Sequence, residues 1–314
     1  MAISPMKHAW AADVLQSMQD NTWFPKEVNL ADDIVCYKER LSEAERFAYD
    51  KALAFLSNLD GIQFNNINLN IARHVTSPEV RLCLSRQAWE EGLHVLSYAR
   101  MVEAVSLNPM SVYMTFERDG ILAKKNEFIL KQSRIVGEEF TARGFALACV
   151  SNLLLEGVYF YSGFLVFYTL ARQGKMLGSA DMIRYIQRDE GGSHLNLFAH
   201  MLSTLRVENP EIFDDSFWRD ALKIFHESTL LESGWGKYQF SGGVLGVSDQ
   251  MIDQYIRHLA NTVAITANMP FVPYPEVTSN PFAWVDSFSK PNGTESNFFE
   301  TRPTDYTVGT LEWS

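Results

Sequence analysis

Apolar residues recur every three or four positions through most of the first 268 residues, and no stretch alternates with the period of two that marks a half-buried strand. The helical segments can be delimited by their start signals. Ser42-x-x-Glu45 is a capping box that opens a run to about Val75. Thr76-Ser77-Pro78-Glu79 opens the next, with proline in the first turn, and it runs to about Ser106. A third run is expected from Gly120 to Gln173 and a fourth from Ser179 to Val207. Two more follow, near Pro210–Phe240 and Ser248–Asn268. No repeat of solenoid length is present. The expectation is an all-α bundle.

The third run contains a stretch that could pass for a membrane span. From Gly144 to Ala171 no lysine or arginine interrupts GFALACVSNLLLEGVYFYSGFLVFYTLA. Asn152 and Glu156 lie near its middle, where lipid would exact a heavy cost, so the pattern reads as the buried central helix of a large bundle. Glu156 then stands out, because a buried carboxylate needs a partner.

After Met269 the pattern changes. MPFVPYPEVTSNPF is proline-rich, and SKPNGTESNFFETRPTDYTVGTLEWS is polar with isolated aromatics. This divides the chain into a helical body with an N-terminal arm and a covering strap, residues 1–288, and a flexible tail, residues 289–314, of a composition suited to docking. The net charge of −11 argues against a nucleic-acid partner or an anionic membrane surface. Three scattered cysteines form neither a disulfide framework nor a zinc site, and MAISPMKHAW has no apolar run of signal-peptide type; a reducing cytoplasm is expected.

The chemistry lies in acidic residues on apolar helix faces. Asp60 follows Leu53 and Leu56 at helical spacing in the first run. In WEEGLH of the second, Glu91 and His94 are three apart and share a face. Glu156 sits inside LLLEGVYFY of the third, and RDEGGSH of the fourth carries Glu190 and His194. One carboxylate from each of two helices and a Glu/His pair from each of two others is the ligand set of a carboxylate-bridged dinuclear metal site in a ferritin-like bundle. Hard oxygen and imidazole donors accept Fe/Fe, Mn/Mn or Mn/Fe alike.

Gly191 and Gly192 stand between Glu190 and His194 in what otherwise reads as a strong helix, where each glycine costs up to about 1 kcal/mol against alanine. Residues four apart still share a helix face. The expectation is a π-bulge that absorbs the extra residue, with the glycines easing it or leaving room beside the metal.

With these residues in place, the chain resembles the small, radical-generating subunit of class I ribonucleotide reductase, from about Trp23 to Tyr306. Asp60, Glu91, His94, Glu156, Glu190 and His194 fall on that family's six ligand positions. The family usually has two residues between the last Glu and His, and this sequence has three, which puts the second metal position in question. The resemblance implies a radical tyrosine at Tyr98 within an apolar pocket of Phe160, Phe164 and Ile186, or an oxidant stored on the metals instead. It implies a relay through Trp23 and Asp189 to the metal-bound His94. It also implies a tail, with Glu300 and Tyr306, that passes the radical to a large catalytic subunit where ribonucleotides are reduced. A homodimer is implied as well, and some members of the family use a flavoprotein activator.

Two other readings use the same ligands. A di-metal oxidase or desaturase acting on an apolar ligand needs neither Trp23, Asp189 nor the tail. A ferritin-like storage protein predicts cage assembly and many irons per chain.

Overall fold

A computed structural model of the chain describes residues 3–134, 136, 140–244 and 246–289. Among them every regular element is helical: α1 (Trp10–Asp20), α2 (Ala31–Glu39), α3 (Glu43–Asn66), α4 (Pro78–Val105), α5 (Pro109–Tyr113), α6 (Thr115–Arg118), α7 (Gly120–Ser133), α8 (Ala142–Leu154), α9 (Tyr161–Arg172), α10 (Leu177–Arg188), α11 (Leu195–Glu208), α12 (Asp215–Gln239), α13 (Asp249–Thr266) and α14 (Asp286–Ser289). The tail positions Glu300 and Tyr306 lie outside the described residues.

The start signals act as their chemistry requires. Ser42 Oγ accepts from the Glu45 amide at 3.2 Å while Glu45 Oε2 accepts from the Ser42 amide at 2.8 Å. Ser77 caps α4 ahead of Pro78, and Ser248 caps α13. The third predicted run is not one helix. It stops at Ser133 and restarts at Ala142, where Thr141 Oγ1 accepts from the Gly144 amide at 2.9 Å; a cap of this kind begins a new helix whatever the periodicity around it. α1 and α2 were not foreseen. Neither has a side-chain N-cap, although Ala11, Val14 and Met18 of α1 are buried.

Three π-helical segments interrupt the long helices: Ile67–Ile71 after α3, Leu155–Tyr159 between α8 and α9, and Asp189–His194 between α10 and α11. The stretch Ala142–Arg172 is long and apolar enough to cross a membrane, and its most apolar window is wholly buried inside the bundle. α3 packs along α4 and α9, α8 along α11 and α12, and α10 against α9 and α4. The segments carrying the six candidate ligands therefore surround one interior. Beyond α13, residues 270–289 run back across it: Asn261 Nδ2 donates to the Tyr274 carbonyl at 2.7 Å, and Phe282 packs edge-on against Tyr255.

Candidate metal centre

Asp60 lies on α3, Glu91 and His94 on α4, Glu156 on the Leu155–Tyr159 π-turn, and Glu190 and His194 on the Asp189–His194 π-turn. All six side chains are fully buried. The structure brings them together as two overlapping sets, Asp60–Glu91–His94–Glu190 and Glu91–Glu156–Glu190–His194, each with its ligating atoms within 4.8 Å of one another. Glu91 and Glu190 belong to both. Glu190 Oε1 lies 2.9 Å from His94 Nδ1, and its Oε2 lies 3.0 Å from His194 Nδ1. Glu91 divides its oxygens the same way, with Oε2 3.8 Å from His94 Nδ1 and Oε1 3.5 Å from His194 Nδ1. Asp60 Oδ2 completes the first set at 3.6 Å from His94 Nδ1, and Glu156 Oε2 the second at 3.6 Å from His194 Nδ1.

The extra residue before His194 does not expel it. The π-turn predicted for RDEGGSH is present, and it turns both Glu190 and His194 inward. Gly191 is needed for space: a Cβ there would stand 2.5 Å from the Tyr161 hydroxyl oxygen, whereas one on Gly192 would meet nothing within 4 Å.

The far side of each ring is fixed by a buried acid. His94 Nε2–H donates to Asp189 Oδ2 at 3.2 Å, and the Trp23 indole N–H donates to the same oxygen at 2.7 Å. His194 Nε2–H donates to Glu90 Oε2 at 2.9 Å, and Arg86 donates to Glu90 Oε1 at 2.9 Å. Such bonds fix the tautomer, so that each Nδ1 faces the cluster. Glu90 escaped the sequence reading because beside Glu91 it looked like a solvated neighbour; its signal was Arg86 one turn earlier. Tyr185 was missed too. It stacks on Trp23 at 5.1 Å between ring centroids, beneath the guanidinium groups of Arg184 and Arg188. Gln63 and Gln87 were also missed, and both donate to Glu156 Oε1, Gln87 at 2.8 Å.

Four carboxylates converging without cations is an unstable arrangement, and the electrostatics register it. Burial first, then the charges of Glu91 and Glu190, hold the Asp60 carboxyl well above the usual carboxylate range. Glu190 is likewise held well above it by burial and by Glu91 and Glu156, and Glu91 is raised by burial and Glu156. Glu156 is lowered: burial opposes its charge, but hydrogen bonds involving Glu190, His194 and Gln63 outweigh that. Burial pushes His94 and His194 down, yet their acidic neighbours carry both rings well above the ordinary histidine range. Without metal the cluster therefore retains protons.

Asp60 Oδ1 and Oδ2 and Glu91 Oε2 are buried without a hydrogen-bond partner, facing the other oxygens and the imidazoles of the cluster. Orphaned buried atoms of this kind, all hard donors, fit two divalent or trivalent ions and little else.

Tyr98, one turn beyond His94, is fully buried with no hydrogen-bond partner on its hydroxyl. Burial, then Asp60, Glu190 and Glu91, holds its phenol well above the ordinary range. Phe160, Phe164 and Ile186 are fully buried, and the two phenylalanine rings stack at 5.8 Å.

A family model of the ribonucleotide reductase small chain matches residues 1–281. The ribonucleoside-diphosphate reductase subunit beta of Treponema pallidum is 36% identical over 313 residues, which cover 96% of this chain and 86% of that protein. The ribonucleotide reductase R2 subunit of Clostridium botulinum superimposes with a TM-score of 0.86 at 35% identity, covering 91% of this chain and 89% of that one. A dimanganese(II) NrdF structure from Streptococcus sanguinis, 17% identical with a TM-score of 0.77 over 90% of this chain and 97% of that one, shares the fold. With its carboxylate–histidine cluster in a bundle of this kind, the chain belongs to the ribonucleotide reductase small-chain family, as a subunit of an oxidoreductase.

Proposed function

We propose that this subunit generates and stores the oxidising equivalent used by a large catalytic subunit to reduce ribonucleotides. Asp60, Glu91, His94 and Glu190 would hold one iron or manganese ion, and Glu91, Glu156, Glu190 and His194 the other. When bound, such ions supply the redox chemistry that reacts with oxygen species. The protein residues exclude water, hold protons and carry the path. Glu91 and Glu190 each present one oxygen to either half of the cluster. Tyr98 is a dry phenol with no proton acceptor bonded to it, the environment in which a phenoxyl radical persists.

The observation that carries this reading is the bonded chain Trp23–Asp189–His94. Asp189 accepts from both rings, so an electron leaving Trp23 toward the cluster can move with a proton held on a defined atom. An oxidase or a storage protein has no use for that connection. We place docking to the large subunit on the tail, with Glu300 and Tyr306 in the relay. We also propose a homodimer through the face bearing exposed Phe24, Phe64, Trp89 and Leu96, where Phe24 meets Trp89 edge-on. The free, buried Cys36, Cys83 and Cys149 accord with a cytoplasmic location.

The test is metal analysis with low-temperature EPR on protein grown with iron or with manganese. Two ions per chain and a tyrosyl signal abolished by Tyr98→Phe are expected. A coupled metal signal that survives Tyr98→Phe would move the store off the tyrosine. A single ion per chain would refute the dinuclear reading.

A further inference from the structure

Lys125 of α7 and Glu232 of α12 form an ion pair that the metal cluster does not use. Both are buried, at 1% and 0% exposure, and the ammonium sits 3.3 Å from the centroid of the Phe55 ring. Burial pushes the lysine down to about 8 and the glutamate up, despite their contact. A pair held at such a desolvation cost contributes little to stability, and apolar residues of similar volume often serve as well.

Its remaining bonds suggest what it does. Lys125 Nζ also donates to the carbonyl of Tyr159 at 3.3 Å, and Glu232 Oε1 accepts from the Ser162 amide at 3.2 Å. Tyr159 and Ser162 flank the junction where the π-turn Leu155–Tyr159 gives way to α9. Backbone bonding changes there from i→i−5 to i→i−4, so a carbonyl and an amide at the junction need partners from elsewhere. The ion pair supplies one of each. Two bonds beside it tie the same junction to α12: the Tyr159 hydroxyl to Ser228 Oγ at 2.6 Å, and Ser162 Oγ to Gln239 Oε1 at 3.0 Å. On the opposite side Gly157 lies so close to α13 that a Cβ would stand 2.3 Å from Val263 Cγ2. The turn is held from both faces, and Glu156 is the residue it presents to the cluster.

We propose that Lys125 and Glu232 are positioning residues for Glu156, locking the register of the π-turn so that Glu156 Oε2 faces His194 in the second ligand set. This rests on the reading that Glu91, Glu156, Glu190 and His194 hold the second ion. If the pair served stability alone, removing it would lower the melting temperature and leave metal binding untouched.

The full chain, stripped of metal, is titrated with Mn(II) by calorimetry, and its melting temperature is measured alongside. The parent is expected to take two ions. The paired variant Lys125→Met/Glu232→Leu leaves no unpaired charge but strands the Tyr159 carbonyl and the Ser162 amide, so it is expected to melt at a lower temperature, to keep one site at parental affinity and to weaken the other at least about tenfold. Two sites at parental affinity would overturn the proposal. Should the paired variant not fold, Lys125→Met alone removes the donor to the Tyr159 carbonyl and leaves Glu232 to accept from the Ser162 amide; it is expected to weaken one site only, and two unchanged sites would again refute the idea. A parent that binds fewer than two ions would sink the dinuclear reading itself, which is a separate failure.

Discussion

The two glutamate–histidine arms of the cluster reach equivalent positions by different backbones. Glu91 and His94, three apart, lie on the unbroken helix α4. Glu190 and His194, four apart, lie on a π-turn set between α10 and α11. Both rings nevertheless direct Nδ1 into the cluster and Nε2–H onto a buried acid, Asp189 in one case and Glu90 in the other. A π-turn winds more residues per turn than an α-helix, so residues four apart within it point more nearly the same way. The atoms, not the sequence spacing, are what the site specifies, and the second arm reaches them with an irregular backbone that needs support.

The comparison is broken most severely at a residue common to both halves. Glu190 is in each ligand set, whereas Asp60 is in the first alone. Glu190→Ala is expected to weaken both ions by more than about a hundredfold, a larger effect than loss of an outer hydrogen bond. Asp60→Ala should affect one. Metal content by mass spectrometry after dialysis separates the cases, and a Glu190→Ala protein that kept one ion at full affinity would contradict the sharing.

The next effect is pH-dependent and concerns the cluster as a whole. In the metal-free fold Asp60, Glu91, Glu190, His94 and His194 all have raised values, so the folded chain keeps protons that the unfolded chain has released. Stability from raised groups is fully present below their ordinary range and is lost as pH climbs toward the folded values. Glu156, lowered, acts in the opposite sense, its contribution being lost in acid, but it stands alone against five. Metal-free protein should therefore lose stability as pH rises above the ordinary value of each group, from about 4 for the three carboxyls and from about 6.5 for the two histidines, by about 1.4 kcal/mol per pH unit for each proton retained. Loading displaces those protons, so the gap in melting temperature between loaded and metal-free protein should widen over that range. A gap that narrows with rising pH would mean that the cluster does not hold protons in the metal's absence.

The six converging side chains were legible in the sequence because each is an acid or imidazole on an otherwise apolar helix face, and the π-turn at RDEGGSH because two glycines there cost helix propensity with no other return. The break between α7 and α8 was not, since Thr141 lies in a run whose periodicity continues through it and only the cap bond marks a new start. The π-turn bearing Glu156 left no trace either: LLLEGVYFY reads as an unbroken apolar helix, and the features that hold it, Lys125 and Glu232, come from helices distant in sequence. Long-range partners of buried polar groups are invisible to periodicity. Glu90 was hidden for a related reason, because its role depends on where His194 falls.

A smaller effect tests the irregular arm itself. Gly191→Ala places a methyl 2.5 Å from the hydroxyl of the buried Tyr161 side chain, and is expected to cost about 1–3 kcal/mol and to weaken metal binding at His194 more than at His94. Tyr161→Phe removes that oxygen, and the next ring atom would be 3.9 Å from the new methyl, an ordinary contact. The double variant should therefore regain most of the loss by thermal unfolding and by Mn(II) titration. A double variant as impaired as Gly191→Ala alone would show that the steric account is wrong.

The smallest effect is expected one residue on. A Cβ on Gly192 meets nothing within 4 Å, and the residue is not in the left-handed region, so alanine fits without strain. Gly192→Ala should then stabilise the chain by about 0.4–1 kcal/mol through the unfolded state, with metal affinities unchanged. The contrast between the two glycines separates two explanations of the pair. If the π-turn needs glycine for flexibility, alanine at either position should impair the second site. If it needs glycine for space, only Gly191 matters, because only there does another side chain occupy the volume. A Gly192→Ala protein with a weakened second site would decide for flexibility, and the second arm would then depend on freedom of its backbone as well as on the room that Tyr161 leaves.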